Sequence, residues 1–297
     1  MTFFIEVLAG GLLAGVMYSL VALGFVLIYK ASGVFNFAQG AMVFLAALTF
    51  VSLLEMHWNF WLALVVTLGV MVAVGVLTER IVLRPLVNQP PITLFMATIG
   101  LTFVLEGLSQ MVWGSQPHGL ELGIEDVPME WLSQKWNINI SKFDLFAAVV
   151  AGVLVGSLAL FFQKTRTGRA LRAVADDHQA ALAVGISLQH IWAIVWAVAG
   201  FVALVAGMMW GVRNGVQYAL TFTALKALPV LILGGFESVP GAIIGGLIIG
   251  ASEKVAEVYL GPYVGGGIES WFAYALALLF LLVRPQGLFG EKIIDRV

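Results

Sequence analysis

The chain has 297 residues, of which 61% are hydrophobic and only 11% charged, and its mean hydropathy is +0.99. A soluble domain carries roughly 25% charged residues, so this composition belongs to a polytopic membrane protein. A net charge of −2 excludes a basic nucleic-acid face. The lack of cysteine excludes disulfides and thiolate sites, and neither HExxH nor GxxxxGK[ST] is present for zinc or nucleotide chemistry.

A hydrocarbon core of about 30 Å needs roughly 20 apolar residues per helix. By that measure the sequence predicts spans over 5–28, 34–54, 60–78, 92–113, 144–163, 190–211, 219–235, 240–256 and 268–284. The expected fold is all-α: a polytopic transmembrane helical bundle of 8–9 membrane segments with interrupted helices, forming one transmembrane domain over 1–297. Long runs without period-2 alternation exclude sheet, and lipid admits only helices or closed barrels. The first basic residue, Lys30, follows the first apolar run, so no signal peptide is expected. Pro90 and Pro91 mark the start of the fourth span. Gly234, Gly235, Pro240 and Gly241 interrupt 219–256, which reads either as two crossings or as a re-entrant pair of half-helices.

Basic residues in short loops set the orientation. Lys30, Arg80, Arg84, Lys164, Arg166, Arg169, Arg172, Arg284, Lys292 and Arg296 place 10 of the 15 basic residues on one side. That side is assigned to the cytoplasm and includes the C-terminus. The loop 114–143 is then external and acidic, with Glu121, Glu125, Asp126 and Glu130 beside Trp131 and Trp136. It reads as an interfacial helix anchored by tryptophans, or as a docking rim for a soluble partner. The cytoplasmic loop 164–190 is longer than a simple connector needs. Leu171, Val174, Ala175, His178, Leu182 and Gly185 lie near one helical stripe, away from Arg172, Asp176 and Gln179, so a short helix followed by a turn at Gly185 is expected.

Polar residues inside a span line a pathway or bond to a neighbouring helix. The fourth span carries Thr98, Thr102, Glu106 and Gln110 at i, i+4 spacing, one polar stripe on an apolar helix. Lys226 lies within the seventh span, with Glu106 as a candidate counter-charge. GxxxG pairs at Gly11/Gly15, Gly152/Gly156, Gly241/Gly245 and Gly246/Gly250 permit close helix contact. Two breaks look alike: Phe35–Gly40 (FNFAQG) and Phe236–Gly241 (FESVPG) each set an aromatic and polar cluster before a glycine. Interrupted helices in corresponding positions are a feature of transporters.

Three stretches carry a family resemblance: GLLAGVMYSLVALGFVLIYKASGVFNFAQGA from Gly11, RTGRALRAVADDHQAALAVGI from Arg166, and LILGGFESVPGAIIGGLIIG from Leu231. In order and spacing they resemble the LivH-type permease of branched-chain amino acid ABC transporters. The resemblance implies a bacterial inner-membrane subunit that pairs with a second, LivM-like permease. Two cytoplasmic ATPase subunits would hold ATP and Mg, and an external binding protein would deliver substrate. No cofactor or metal is then expected on this chain, its partners being proteins and membrane lipid but not nucleic acid. The loop 164–190 resembles the coupling element that docks on an ATPase. Gln179-Ala180-Ala181 with Gly185 resembles the EAAxxxG core, with Gln for Glu and without the closing I-x-L-P. Arg169, Arg172, Asp176, Asp177, Gln179, Ala180, Ala181 and Gly185 are its candidate coupling residues. Where the family commonly reads NFAHGE, this chain reads Asn36-Phe37-Ala38-Gln39-Gly40-Ala41, a neutral segment. Candidate pathway residues are Asn36, Phe37, Gln39, Thr98, Thr102, Phe236 and Glu237.

The implied function is an alternating-access permease subunit of an ABC importer for branched-chain or related small amino acids. The rival is an ion-gradient-driven secondary transporter of a small apolar or amide solute, with Glu106, Lys226 and Glu237 as coupling charges. A channel and a membrane enzyme are more distant readings.

Overall fold

The computed structural model describes residues 2–33, 35–86, 89–176 and 178–290. Among them there is no strand; two isolated bridges, His118 with Val216 and Pro128 with Ser141, pin loop segments. The helices run in order α1 (Thr2–Ser32), α2 (Gln39–Glu55), α3 (Phe60–Leu77), α4 (Pro91–Trp113), α5 (Glu130–Trp136), α6 (Lys142–Lys164) and α7 (Arg166–Asp176). They continue as α8 (His178–Ala183), α9 (Leu188–Asn214), α10 (Leu220–Leu225), α11 (Ala227–Gly234), α12 (Val239–Val264) and α13 (Phe272–Val283).

Six helices are long and apolar enough to cross a bilayer: α1, α3 with its continuation to Leu86, α4, α6, α9 and α12. The other three expected spans fall on the shorter apolar stretches Gln39–Glu55, Leu220–Gly234 and Phe272–Val283, so the 8–9 segments are not all helices of spanning length. At 1.5 Å per residue the 17 residues of α2 cover only about 26 Å. Protein surrounds α2 and buries every residue from Gln39 to Leu53, so it has no lipid-facing stripe to match. Of the ambiguous stretch 219–256, the first part is broken at Lys226 into α10 and α11. The second is a full-length helix whose start is capped by Ser238, with its Oγ accepting from the Gly241 N–H at 3.0 Å.

Packing divides the chain into two compact units. One holds the residues up to Leu23, Gly123–Gly156 and Lys226 onward; the other holds Gly24–Leu122 and Ser157–Leu225. In the first unit the start of α1 lies on α12, GxxxG against GxxxG. A β-carbon on Gly11 would stand 2.7 Å from the Gly250 carbonyl oxygen, a contact that only glycine permits. α11 and α13 also pack within this unit, and residues after Arg284 return to α11, Leu288 N–H donating to the Leu233 carbonyl at 2.8 Å. Of the other GxxxG pairs, Gly245 faces the Val230 carbonyl, whereas Gly156 faces open space.

In the second unit α2 is the central post, with α3, α4, α9 and α10 packed on it. α4 shows why a membrane helix inverts the soluble pattern. Thr98, Leu105, Glu106 and Ser109 are buried, while Met96, Phe103, Val104, Leu108, Met111 and Val112 are exposed. Its polar stripe points inward, because hydrocarbon cannot satisfy it.

Candidate functional site

The first break, Phe35–Gly40, is knitted into the second unit. Asn36 accepts from the Ala38 N–H at 3.0 Å and donates through Nδ2 to Gln39 Oε1 at 3.3 Å. Gln39 Nε2 donates to the Ala199 carbonyl of α9 at 3.4 Å. Both side chains are 0% exposed, so the break satisfies its own polar groups, as buried amides must. Phe35 stacks on Phe25, and Phe37 stands edge-on to both Phe35 and Phe95, with centroids 4.6 and 4.8 Å apart. Thr98 Oγ1 donates to the Phe35 carbonyl at 3.1 Å and ties α4 to the break; Thr102 Oγ1 donates back to the Thr98 carbonyl at 3.0 Å. Asn36, Phe37, Gln39 and Thr98 thus form one connected cluster. Thr102 adjoins it through Thr98, and Phe37 and Thr102 are both part-exposed.

The second break belongs to the first unit and is built differently. Gly235, at φ +103°, ends α11, and the chain turns through Phe236 and Glu237 into α12. Phe236 is half-buried and Glu237 exposed. Gly235 packs against Gly287 and Gly290, so this turn shares one end of the unit with the segment that follows Arg284.

The charges inside the membrane find partners that spacing did not reveal. Lys226 sits at the α10–α11 joint, and its Nζ lies 2.8 Å from Glu253 Oε1 and 3.8 Å from Glu269. Its counter-charge is Glu253, not Glu106. The Tyr18 hydroxyl adds a hydrogen bond to the same Glu253 oxygen at 3.2 Å. Glu106 instead accepts from the Tyr218 hydroxyl at 3.3 Å. Nothing in the sequence pattern singles out Tyr18, Tyr218 or Glu253, because the two tyrosines meet their carboxylates 235 and 112 residues away and Glu253 meets Lys226 from a different helix, 27 residues on.

The segment 164–190 is not one helix but two. α7 ends at Asp176 and α8 begins at His178; Asp177, an expected coupling residue, lies outside the described residues. Leu171 and Val174 are buried as the stripe predicts, whereas Leu182 on α8 is 53% exposed. Arg172 holds the pair to α6, with its guanidinium donating to the Phe162 carbonyl at 2.7 Å and the Gln163 carbonyl at 3.2 Å. These are last-turn carbonyls without helical partners, the groups a cation caps best. Arg169 reaches the Lys164 carbonyl at 3.5 Å. Ala181 is buried, while Arg169, Asp176, Gln179, Ala180 and Gly185 are exposed. The turn at Gly185 has φ +85°, and Val184 beside it is 76% exposed. Next to the turn lies a groove of about 620 Å³ lined in part by Glu79, Arg84, Leu182, Gly185 and Trp192.

Residues 7–284 match the family described as the branched-chain amino acid transport system permease component. The chain belongs to that family. It is 28% identical to the high-affinity branched-chain amino acid transport permease LivH of Escherichia coli K12, over 99% of this chain and 98% of that one. The same identity and coverage relate it to BraD of Pseudomonas aeruginosa. PsaBC from Streptococcus pneumoniae, solved in complex with Fab, shares the fold, with a TM-score of 0.52, 15% identity, and 96% and 97% of the two chains covered.

As a branched-chain-type permease component the protein is a multi-pass membrane transport subunit, not an enzyme. The neutral Gln39 of this permease is consumed by bonds to Asn36 and Ala199, and Ala41 is fully buried.

Proposed function

We propose that this permease is the membrane subunit of an ATP-binding cassette importer for branched-chain or closely related small amino acids. In this reading its partners are a second LivM-like permease, two cytoplasmic ATPases carrying ATP and Mg, and an external binding protein that delivers substrate. Its membrane would be the bacterial inner membrane, with the C-terminus in the cytoplasm. The observation that carries the reading is the α7–α8 segment. It is fixed to α6 by Arg172 yet exposes Leu182 and Val184, apolar residues that a solvated connector has no reason to present.

An ATPase docked on Gln179–Gly185 would push on α8, and α7 would pass the movement to α6 through the Arg172 bonds. Substrate would travel past the part-exposed Phe37 and Thr102, with Asn36, Gln39 and Thr98 fixing the local backbone. Phe236 and Glu237 would line the exit turn. Selectivity would rest mainly with the external protein, so the route need not bind tightly.

The test is purification of the tagged chain from native membranes in mild detergent, with co-purifying subunits identified by mass and stoichiometry. Two ATPases and a second permease are expected, with uptake in vesicles that follows ATP. Uptake that follows an ion gradient, from a chain that purifies alone, would establish the secondary-transporter reading instead.

A further inference from the structure

The inward stripe of α4 continues beyond Thr102. Glu106 is 5% exposed, and its Oε2 accepts from the Tyr218 hydroxyl. Among the described residues no cation pairs with it. One turn further on, Gln110 helps line a cavity of about 290 Å³ together with Phe44, Ser115, Gln116, Gln217 and Tyr218. Tyr218 serves both features. Its hydroxyl meets Glu106, and its ring lines the cavity and stands edge-on to Phe44, with centroids 6.3 Å apart. All of these residues lie within the second unit.

A carboxylate inside a spanning helix is costly unless a cation or a water-filled cavity compensates it, and such residues mark transport pathways. Every other buried carboxylate described here has a basic partner: Glu79 has Arg84 and Glu253 has Lys226. Glu106 has only neutral neighbours, the Tyr218 phenol and the Thr221 hydroxyl, and Tyr218 also lines a cavity with three carboxamides, a hydroxyl and a phenyl ring. The cavity lies at the small end of the roughly 300–1,000 Å³ that small-molecule sites occupy. It matches a compact ligand with one cationic group, one anionic group and a modest apolar part.

We propose that this cavity is a station for an amino-acid zwitterion on its way through the permease. Glu106 lies behind Tyr218 and does not itself line the cavity. Its negative charge favours the α-ammonium group through the Tyr218 hydroxyl, whose proton it accepts in a hydrogen bond while the phenol oxygen accepts from the ammonium. Gln110 and Gln116 offer amide donors to the α-carboxylate, and Phe44 and the Tyr218 ring face the side chain. The station lies at the end of α4 that basic-residue bias assigns to the outside, where delivered substrate arrives. The inference rests on the amino-acid reading of the transporter and adds a site within the membrane subunit.

The test is the affinity of the assembled transporter for L-leucine in lipid nanodiscs without the external binding protein. It is compared with 4-methylpentanoate, the same skeleton without the amine. Wild type is expected to prefer L-leucine by about tenfold or more, the worth of one charge-assisted hydrogen bond. Glu106→Gln should erase that preference while keeping the melting temperature. Tyr218→Phe, which keeps the ring, should reduce it in part. Glu106→Gln with undiminished preference, or wild type that binds leucine yet shows no preference, would overturn the station and leave the transport reading standing. The same complex in ATP-loaded proteoliposomes supplies the second arm: wild type that takes up no amino acid would overturn that reading and the station with it.

Discussion

Gly15 of α1 and Gly246 of α12 meet backbone to backbone: a β-carbon on Gly15 would stand 2.5 Å from the Gly246 carbonyl oxygen. In lipid there is no hydrophobic drive between helices, so this close approach is itself the source of their attraction. Gly15→Leu forces α1 off α12 and should cost about 1–3 kcal/mol, as overpacking does. The thermal midpoint of the solubilised protein should fall by several degrees. Gly156→Ala is the control, since a β-carbon there meets nothing within 4 Å and the midpoint should stay put. Equal effects of the two substitutions would mean that α1–α12 contact is not what glycine spacing secures.

Lys226 and Glu253 form a pair in which each side chain is mostly shielded, 21% and 3% exposed. Removing one partner of such a pair leaves the other uncompensated, at a cost of about 3–5 kcal/mol. Lys226→Met and Glu253→Gln should each strongly destabilise the protein in a thermal-shift assay. The double variant should recover most of the loss, because two neutral groups no longer need each other. Losses that simply add would show that Glu269, at 3.8 Å from the lysine, and Tyr18 are the partners that matter.

Much of this architecture is legible in the sequence. Long apolar runs locate the spanning helices, and Gly11/Gly15 and Gly246/Gly250 announce the helices that touch, though not that they touch each other. Thr98, Thr102, Glu106 and Gln110 give the inward face of α4 directly, because only one face of a membrane helix can hold them. Hydropathy alone does not separate the six helices of spanning length from the three shorter apolar stretches. α2 is as apolar as its neighbours, but it is a short post inside the protein, and hydropathy cannot distinguish protein from lipid as its solvent. Long-range pairs are equally silent. Lys226 has several candidate carboxylates in the sequence, and the choice of Glu253 follows from the packing of α11 on α12. Within 164–190 the turn at Gly185 is legible because glycine marks it, whereas the exposure of Leu182 is not, since the apolar stripe places it with the buried Leu171 and Val174.

Arg172 donates to two carbonyls of the last turn of α6, and that anchorage sets how firmly α7 follows α6. Arg172→Ala should leave insertion and subunit assembly intact while substrate-stimulated ATP hydrolysis in the assembled complex falls about tenfold, the rate equivalent of a charge-assisted bond. Arg172→Lys should rescue only part of it, because an ammonium is a point charge that cannot fork to both oxygens. Full rescue by lysine would reduce the role of Arg172 to simple positive charge.

Gly185 separates the docking reading of this segment from a purely conformational one. Its φ of +85° strains any L-residue, at a cost of about 1–2 kcal/mol, yet a β-carbon there meets nothing within 4 Å. Gly185→Ala therefore adds backbone strain without bulk, and Gly185→Trp adds the same strain with a large ring on the exposed tip beside Val184. If an ATPase seats on this tip, the alanine variant should keep most of its substrate-stimulated hydrolysis, while the tryptophan variant inserts normally and loses it. Val184→Asp, which leaves the glycine and its φ untouched, should resemble the tryptophan variant, because a carboxylate replaces the apolar contact. Equal losses for alanine and tryptophan, with Val184→Asp unaffected, would show that the turn's shape, not its surface, is what coupling requires.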